Sequence, residues 1–176
     1  MKKHTLTKSK TLIIVCMLFT SRFSHSQACN ANIQRTAPDS RYELVVGSGG
    51  SEVLDKKTKL IWQRCSLGQS WNGITCVGTG NAYSWTDAIL QAKSVGNDYR
   101  LPNIKELESL VEESCYGNSI NENYFLNTPT SPYWSASPSI YYSNYALIIK
   151  DFYTGDSGDA TKDSKNMIRA VRSSKQ

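Results

Sequence analysis

Four cysteines, Cys29, Cys65, Cys76 and Cys115, follow an N-terminal stretch that has the marks of an export signal. Together these features bound the folds open to the chain. Met1 to Ser26 holds Lys2, Lys3, Lys8, Lys10 and Arg22, no acid, and an apolar run from Thr11 to Phe19. That run is far shorter than the ~20 residues a membrane-spanning helix needs. A basic start, a short apolar core and the small residues Ser24, Ser26 and Ala28 read as a secretory signal peptide. Cleavage after Ser26 leaves Gln27 to Gln176, a length that suits one domain with no transmembrane segment.

Cys16 lies in the signal core and leaves with it, so the exported domain keeps an even number of thiols. An even count in an oxidising compartment points to two disulfides, with three pairings open. The expected pairing is Cys65–Cys76 with Cys29–Cys115. The short polar segment Ser66 to Thr75 folds back easily between the first two. The second bridge then ties the N-terminus to the end of a helix. Lipid attachment at Cys29 is disfavoured, because Ser26-Gln27-Ala28 offers no aliphatic residue three positions upstream.

Charge and histidine narrow the function. The chain holds 20 Lys and Arg against 15 Asp and Glu. The signal takes five of the bases, so the mature domain has 15 of each and no net charge. Nucleic-acid binding needs a sustained basic surface and gains no support. Both histidines, His4 and His25, precede Gln27. Their loss excludes a Ser-His-Asp triad, a Cys-His pair and His-ligated zinc. Paired cysteines leave no nucleophilic thiol. An enzyme is therefore not expected, nor any cofactor.

The pattern along the chain predicts an α+β domain, two helices packed on a mostly antiparallel sheet with long loops. Tyr42 to Val46 is strand-like, and Gly47 to Ser51 is flexible. Glu52 to Asp55 and Leu60 to Arg64 flank a basic tip and predict a hairpin. Ser84 and Asn103 each stand three residues before an acid, Asp87 and Glu106, a capping-box spacing. Trp85, Ala88, Ile89, Ala92 and Val95 form the apolar stripe of the first helix, stopped by Gly96. Ile104, Leu107, Leu110 and Val111 form that of the second. Tyr133 to Ser137, Tyr145 to Phe152 and Ile168 to Arg172 are the later strand candidates. The run Tyr145 to Ile149 lacks clean alternation, as a strand covered on both faces does.

These residues also carry a family resemblance. Asp55-Lys56-Lys57-Thr58-Lys59-Leu60-Ile61-Trp62-Gln63-Arg64-Cys65, Gly68-Gln69-Ser70-Trp71 and Tyr83-Ser84-Trp85 with Asp87-Ala88 begin it. Arg100-Leu101-Pro102-Asn103-Ile104-Lys105-Glu106-Leu107, Asn127-Thr128-Pro129, Tyr133-Trp134-Ser135-Ala136-Ser137 and Val171-Arg172 complete it. The ordered set, from about Cys29 to Arg172, resembles the Lcl C-terminal domain family of bacterial secreted domains. The resemblance implies a C-type-lectin-like fold, related to that of formylglycine-generating enzymes. The family's namesake domain caps a collagen-like surface adhesin and binds sulfated glycosaminoglycans. The present sequence has no Gly-X-Y stretch, so no collagen stalk is expected.

Candidate ligand residues come from the C-terminal third. Tyr141-Tyr142-Ser143-Asn144 interrupts two strands after Pro138 and reads as an exposed loop. Sugars stack their C–H faces on such rings, while hydroxyls and amides bond sugar hydroxyls. Trp134 is a further candidate ring, although Trp62, Trp85 and Trp134 all sit in patterns that suit the core. Lys162 and Lys165 are candidate contacts for sulfate or carboxylate, with Lys56, Lys57 and Lys59 as contributors if the hairpin tip folds nearby. Arg169 and Arg172 lie an odd number apart on a strand, which makes one of them a structural pairing residue. Arg100, beside Glu106, and the cap Asn103 also read as structural.

Asp156, Asp159 and Asp163 could offer oxygens to calcium, but their spacing is not that of an EF-hand and a polar turn is expected. No metal site is predicted. A carboxylate-based hydrolase would need two acids facing one cleft, such as Glu106 with Asp151, and nothing in the spacing selects that pair. The expected function is an exported, adhesin-like module binding surface or matrix glycans or polysaccharide, sulfated glycosaminoglycans among them. The alternative is a protein-interaction subunit of a pilus or cell-envelope assembly, in which the same tyrosines meet a protein.

Overall fold

The computed structural model describes residues 27–174. The expected signal peptide, Met1 to Ser26, lies outside them. In chain order the strands before the helices are β1 (Ala28–Cys29), β2 (Tyr42–Leu44), β3 (Glu52–Asp55), β4 (Leu60–Gln63), β5 (Ser70–Trp71) and β6 (Cys76–Val77). Helices α1 (Trp85–Ser94) and α2 (Ile104–Glu108) follow. The chain closes with β7 (Cys115–Tyr116), β8 (Tyr133–Pro138), β9 (Tyr145–Ile149), β10 (Ser157–Thr161) and β11 (Val171–Ser173). A four-stranded sheet has the order β11-β4-β3-β2 and a three-stranded sheet the order β10-β9-β8, with short ladders β1-β7 and β5-β6. All these strand pairs are antiparallel. The architecture is α+β, as the element order predicts.

Local chemistry explains the elements. Ser84 caps α1 by accepting the Asp87 N–H, and Gly96 follows its end with φ +79°, a conformation glycine adopts without strain. Asn103 and Glu106 form a complete capping box on α2. Arg100 then grips both Glu106 oxygens at 2.7 and 2.6 Å, the structural role expected of it. Helix α2 stops before Leu110 and Val111, a turn earlier than its apolar stripe. Val111 leaves the helical path to bridge Ile120, so tertiary pairing outweighs local periodicity.

Strand β9 is central in its sheet, and its alternate side chains enter two different cores. Leu147 and Ile149 face the larger one, built around Trp62, Leu107, Leu110, Phe125 and Tyr133. Ala146 and Ile148 face the smaller one, with Ala88, Ala92, Leu101, Trp134 and Ile168. Cover on both faces is why this run shows no polar alternation. The region from Asp156 to Asp163 differs from the expected polar turn. Ser157–Thr161 pairs with β9 along its whole length despite a sequence poor in strand-forming residues.

Two disulfides close the fold, Cys65–Cys76 and Cys29–Cys115, which is the expected pairing. They span 11 and 86 residues, worth about 3 and about 4.5 kcal/mol on the loop-closure model. Cys115 is not at a helix end, however. It lies in β7, opposite Cys29 in β1.

Buried charges hold the N-terminal half to this frame. Asp55 is fully buried and receives Arg41 Nε at 2.8 Å, the Thr58 hydroxyl at 2.7 Å and the Lys57 N–H at 3.0 Å. Burial alone would raise its carboxyl pKa, but Arg41, Thr58 and Lys57 together hold it below the usual range. Glu112, also fully buried, accepts the Ser114 hydroxyl at 2.7 Å and the N–H groups of Ala37 at 2.9 Å and Thr36 at 3.0 Å. Burial again opposes its ionisation, and those donors again overcome it.

Both carboxyls therefore titrate lower in the folded chain than the ~4 of an unfolded carboxyl. The stability they add is complete above that value and is lost as pH falls through their folded values. Denaturant titrations from neutral to strongly acidic pH are expected to show this loss, and Asp55→Asn with Glu112→Gln to flatten it. At neutral pH, Asp55→Ala is expected to cost about 3–5 kcal/mol, because it strands the Arg41 guanidinium. Trp134→Ala is expected to cost about 3–5 kcal/mol by the same measurement, because it empties the centre of the smaller core.

Candidate functional site

The loop between β8 and β9 is built by its own backbone. Ser139 N–H donates to Tyr145 O at 3.0 Å, Tyr145 N–H donates to Tyr142 O at 3.0 Å, and Tyr141 N–H reaches the Ser139 hydroxyl at 3.3 Å. This ordered turn presents Ile140, Tyr141 and Tyr142 at 87, 77 and 59% exposure. The Tyr142 ring rests against Tyr145 at 5.2 Å with a 49° tilt. Ser143 and Asn144 are exposed beside it.

The segment after β10 lies against this loop. Lys162 N–H donates to Asn144 O at 2.8 Å, and the Lys162 ammonium donates to Ser143 O at 2.7 Å. The same ammonium sits 4.5 Å from the centre of the Trp85 ring, a cation–π distance. Trp85 is fixed in turn, its backbone N–H donating to Lys162 O at 2.9 Å and its indole to Ser135 O at 2.8 Å. Lys165 is exposed and lies 3.7 Å from Asp87, the acid of the α1 cap.

The structure therefore brings Tyr141, Tyr142, Asn144 and Lys162 together, with Lys165 tied to the neighbouring start of α1. It removes Trp134 from the candidates. That ring is fully buried and its indole N–H donates to Tyr83 O at 2.8 Å, so no face is open to a sugar. The basic tip of the β3–β4 hairpin belongs to the four-stranded sheet, where Lys56 N–H meets Arg41 O and Lys59 O meets Ser174.

Neither arginine of the C-terminal segment is available to a ligand. Arg172 pairs with Glu52 at 2.7 Å. Arg169 is fully buried, donating to Gln63 O, Arg64 O and the hydroxyls of Ser66 and Thr128. Asp159 lies within β10, opposite Leu147, with Asp156 before the strand and Asp163 after it. Among the described residues no group of three or more His, Cys, Asp or Glu could hold a metal ion. Glu106 is held by Arg100 and serves the α2 cap.

Two contributors escaped the sequence reading. Ile140 belongs to the same exposed tip, and its position beside Tyr141 was the available signal. Trp85 reads in sequence as a core residue of the α1 stripe rather than a ligand platform, since its cation–π partner lies far along the chain. Away from this exposed loop lies an open groove of about 670 Å³ between Val77–Gly80 and Asn127–Thr130, with Gln69 and Met167. Its amides are engaged internally, Gln69 donating to Asn127 O at 3.0 Å and Asn127 to Cys76 O at 2.9 Å.

Comparison with curated proteins finds no match. Among family models, that of the Lcl C-terminal domain matches residues 51–172, which include α1, α2, the β8–β9 loop and Lys162. The chain belongs to the Lcl C-terminal domain family.

Proposed function

We propose that this chain is an exported, non-enzymatic recognition module with a C-type-lectin-like fold that binds surface or matrix glycans through the β8–β9 loop. The observation that carries the reading is the Tyr141–Tyr142 pair, held exposed on a turn fixed by its own backbone bonds. A tyrosine buried in its own sheet is the ordinary fate of such a ring, and these two depart from it. Flat rings offer stacking area at low entropy cost, and the phenol hydroxyls with the Asn144 amide offer hydrogen bonds to sugar hydroxyls. Two disulfides fit a chain that matures in an oxidising compartment, and no described helix is long and apolar enough to cross a membrane. Single sites of this kind bind weakly, so adhesion would draw on several copies.

Ile140 favours a second reading. An exposed aliphatic side chain beside two tyrosines gives a sugar nothing to hydrogen-bond and suits a protein partner, as in a pilus or envelope assembly. A glycan array probed with the oxidised protein and with Tyr141→Ala/Tyr142→Ala separates the two. The glycan reading predicts binding that falls about tenfold or more in the variant, the loss of two ring stacks, with unchanged melting. An array silent at high protein density would instead put the assembly subunit first.

A further inference from the structure

We infer that the glycan recognised by the β8–β9 loop is electrically neutral, and that Lys162 is a positioning residue for the tyrosines rather than a contact for sulfate or carboxylate. The inference rests on the glycan-binding reading and narrows its ligand.

Lys162 is built into the fold at four points. Its N–H and ammonium hold Asn144 O and Ser143 O, its carbonyl receives the Trp85 N–H, and its charge lies over the Trp85 ring. Ser143 O takes one of the three ammonium hydrogens and the Trp85 ring shares the charge, so the group is held in place within the domain. Lys165 adds little field, because the Asp87 carboxylate lies 3.7 Å away. An anion approaching Lys165 would meet the Asp87 carboxylate as well.

The side chain best suited to sulfate is arginine, through its bidentate fork. All the described arginines are engaged within the domain. Arg35 meets Glu112, Arg41 meets Asp55, Arg100 meets Glu106 and Arg172 meets Glu52. Arg64 and Arg169 are enclosed by backbone carbonyls. Residues 27–176 hold 15 Lys and Arg against 15 Asp and Glu, so they carry no net charge to draw a polyanion to this loop. What the loop does offer is ring area, phenol hydroxyls and one exposed amide. That set suits the C–H faces and hydroxyls of uncharged sugars.

The role of Lys162 follows from the same contacts. Its two bonds close the loop immediately after Tyr142, so the tyrosines are presented in one arrangement before a ligand arrives. Preorganisation of this kind raises affinity without adding a ligand contact.

The test is binding of the oxidised protein to arrayed neutral oligosaccharides and to heparin, at about 0.05 and about 0.3 M salt. The expected result is binding to neutral sugars that does not change with salt. Lys162→Met should weaken it roughly five- to tenfold, the loss of one charged hydrogen bond and one cation–π contact, with no change in salt dependence. Lys162→Arg should restore most of the affinity, since a guanidinium can also meet a carbonyl and a ring. Hydrogen exchange at the Tyr145 amide should speed up in Lys162→Met and not in Lys162→Arg. The wild-type salt response decides the ligand class even if Lys162→Met folds poorly. Binding confined to heparin, weakened by salt and with a smaller salt slope in Lys162→Met, would overturn the neutral assignment and leave the glycan reading standing. Silence toward every carbohydrate would overturn both.

Discussion

Two arginines buried without any carboxylate partner hold the irregular half of this domain in place. Arg64, 6% exposed, donates to Tyr124 O, Gly50 O and Asn123 O and lies 4.2 Å from the Trp71 ring. Arg169, with no exposed surface, joins Gln63 and Arg64 to Ser66 and Thr128, and Ser66 passes the link to Tyr133 OH at 2.6 Å. Burial pushes both guanidinium pKa values down. Carbonyl dipoles and hydroxyls take the place of water around the charges. The segment from Gly117 to Pro132 carries no strand or helix, yet these bonds tie it to β4 and to the start of β8. The tie reaches the three-stranded sheet at Tyr133, the first residue of β8.

The parts of the fold legible in the sequence are those set by neighbours a few residues apart. Ser84 with Asp87 and Asn103 with Glu106 mark both helix starts, because caps are local hydrogen bonds. The β3–β4 hairpin and the Cys65–Cys76 bridge are local too, and the second bridge follows once the first is made. Strand β9 is legible for a different reason: a strand covered on both faces shows a continuous apolar run.

What stayed hidden depends on distant partners. Ser157 to Thr161 has the composition of a turn and becomes a strand only because the edge of β9 is there to pair with it. The partners of Arg64 and Arg169 are backbone carbonyls, which leave no trace in side-chain identity. Arg169 and Arg172 illustrate the limit, since strand parity predicts one structural residue of the two and both are. Lys162 was legible as a surface cation and not as the brace of a loop, because Trp85 and Ser143 reach it only in three dimensions. Trp134 followed the reading that its strand pattern favoured, that of core, and not the ligand role.

Lys162, Lys165, Arg169, Arg172 and Glu106 are engaged within the domain, while the rings of Tyr141 and Tyr142 are left exposed. The most direct measurement is a titration of the isotopically labelled, oxidised protein with the neutral oligosaccharide that binds best on an array, followed by magnetic resonance. The account predicts shifts centred on Tyr141, Tyr142 and Asn144, with Gln69, Asn127 and Thr128 unmoved. Shifts centred on the groove beside the Cys65–Cys76 bridge, with the tyrosine loop silent, would contradict it.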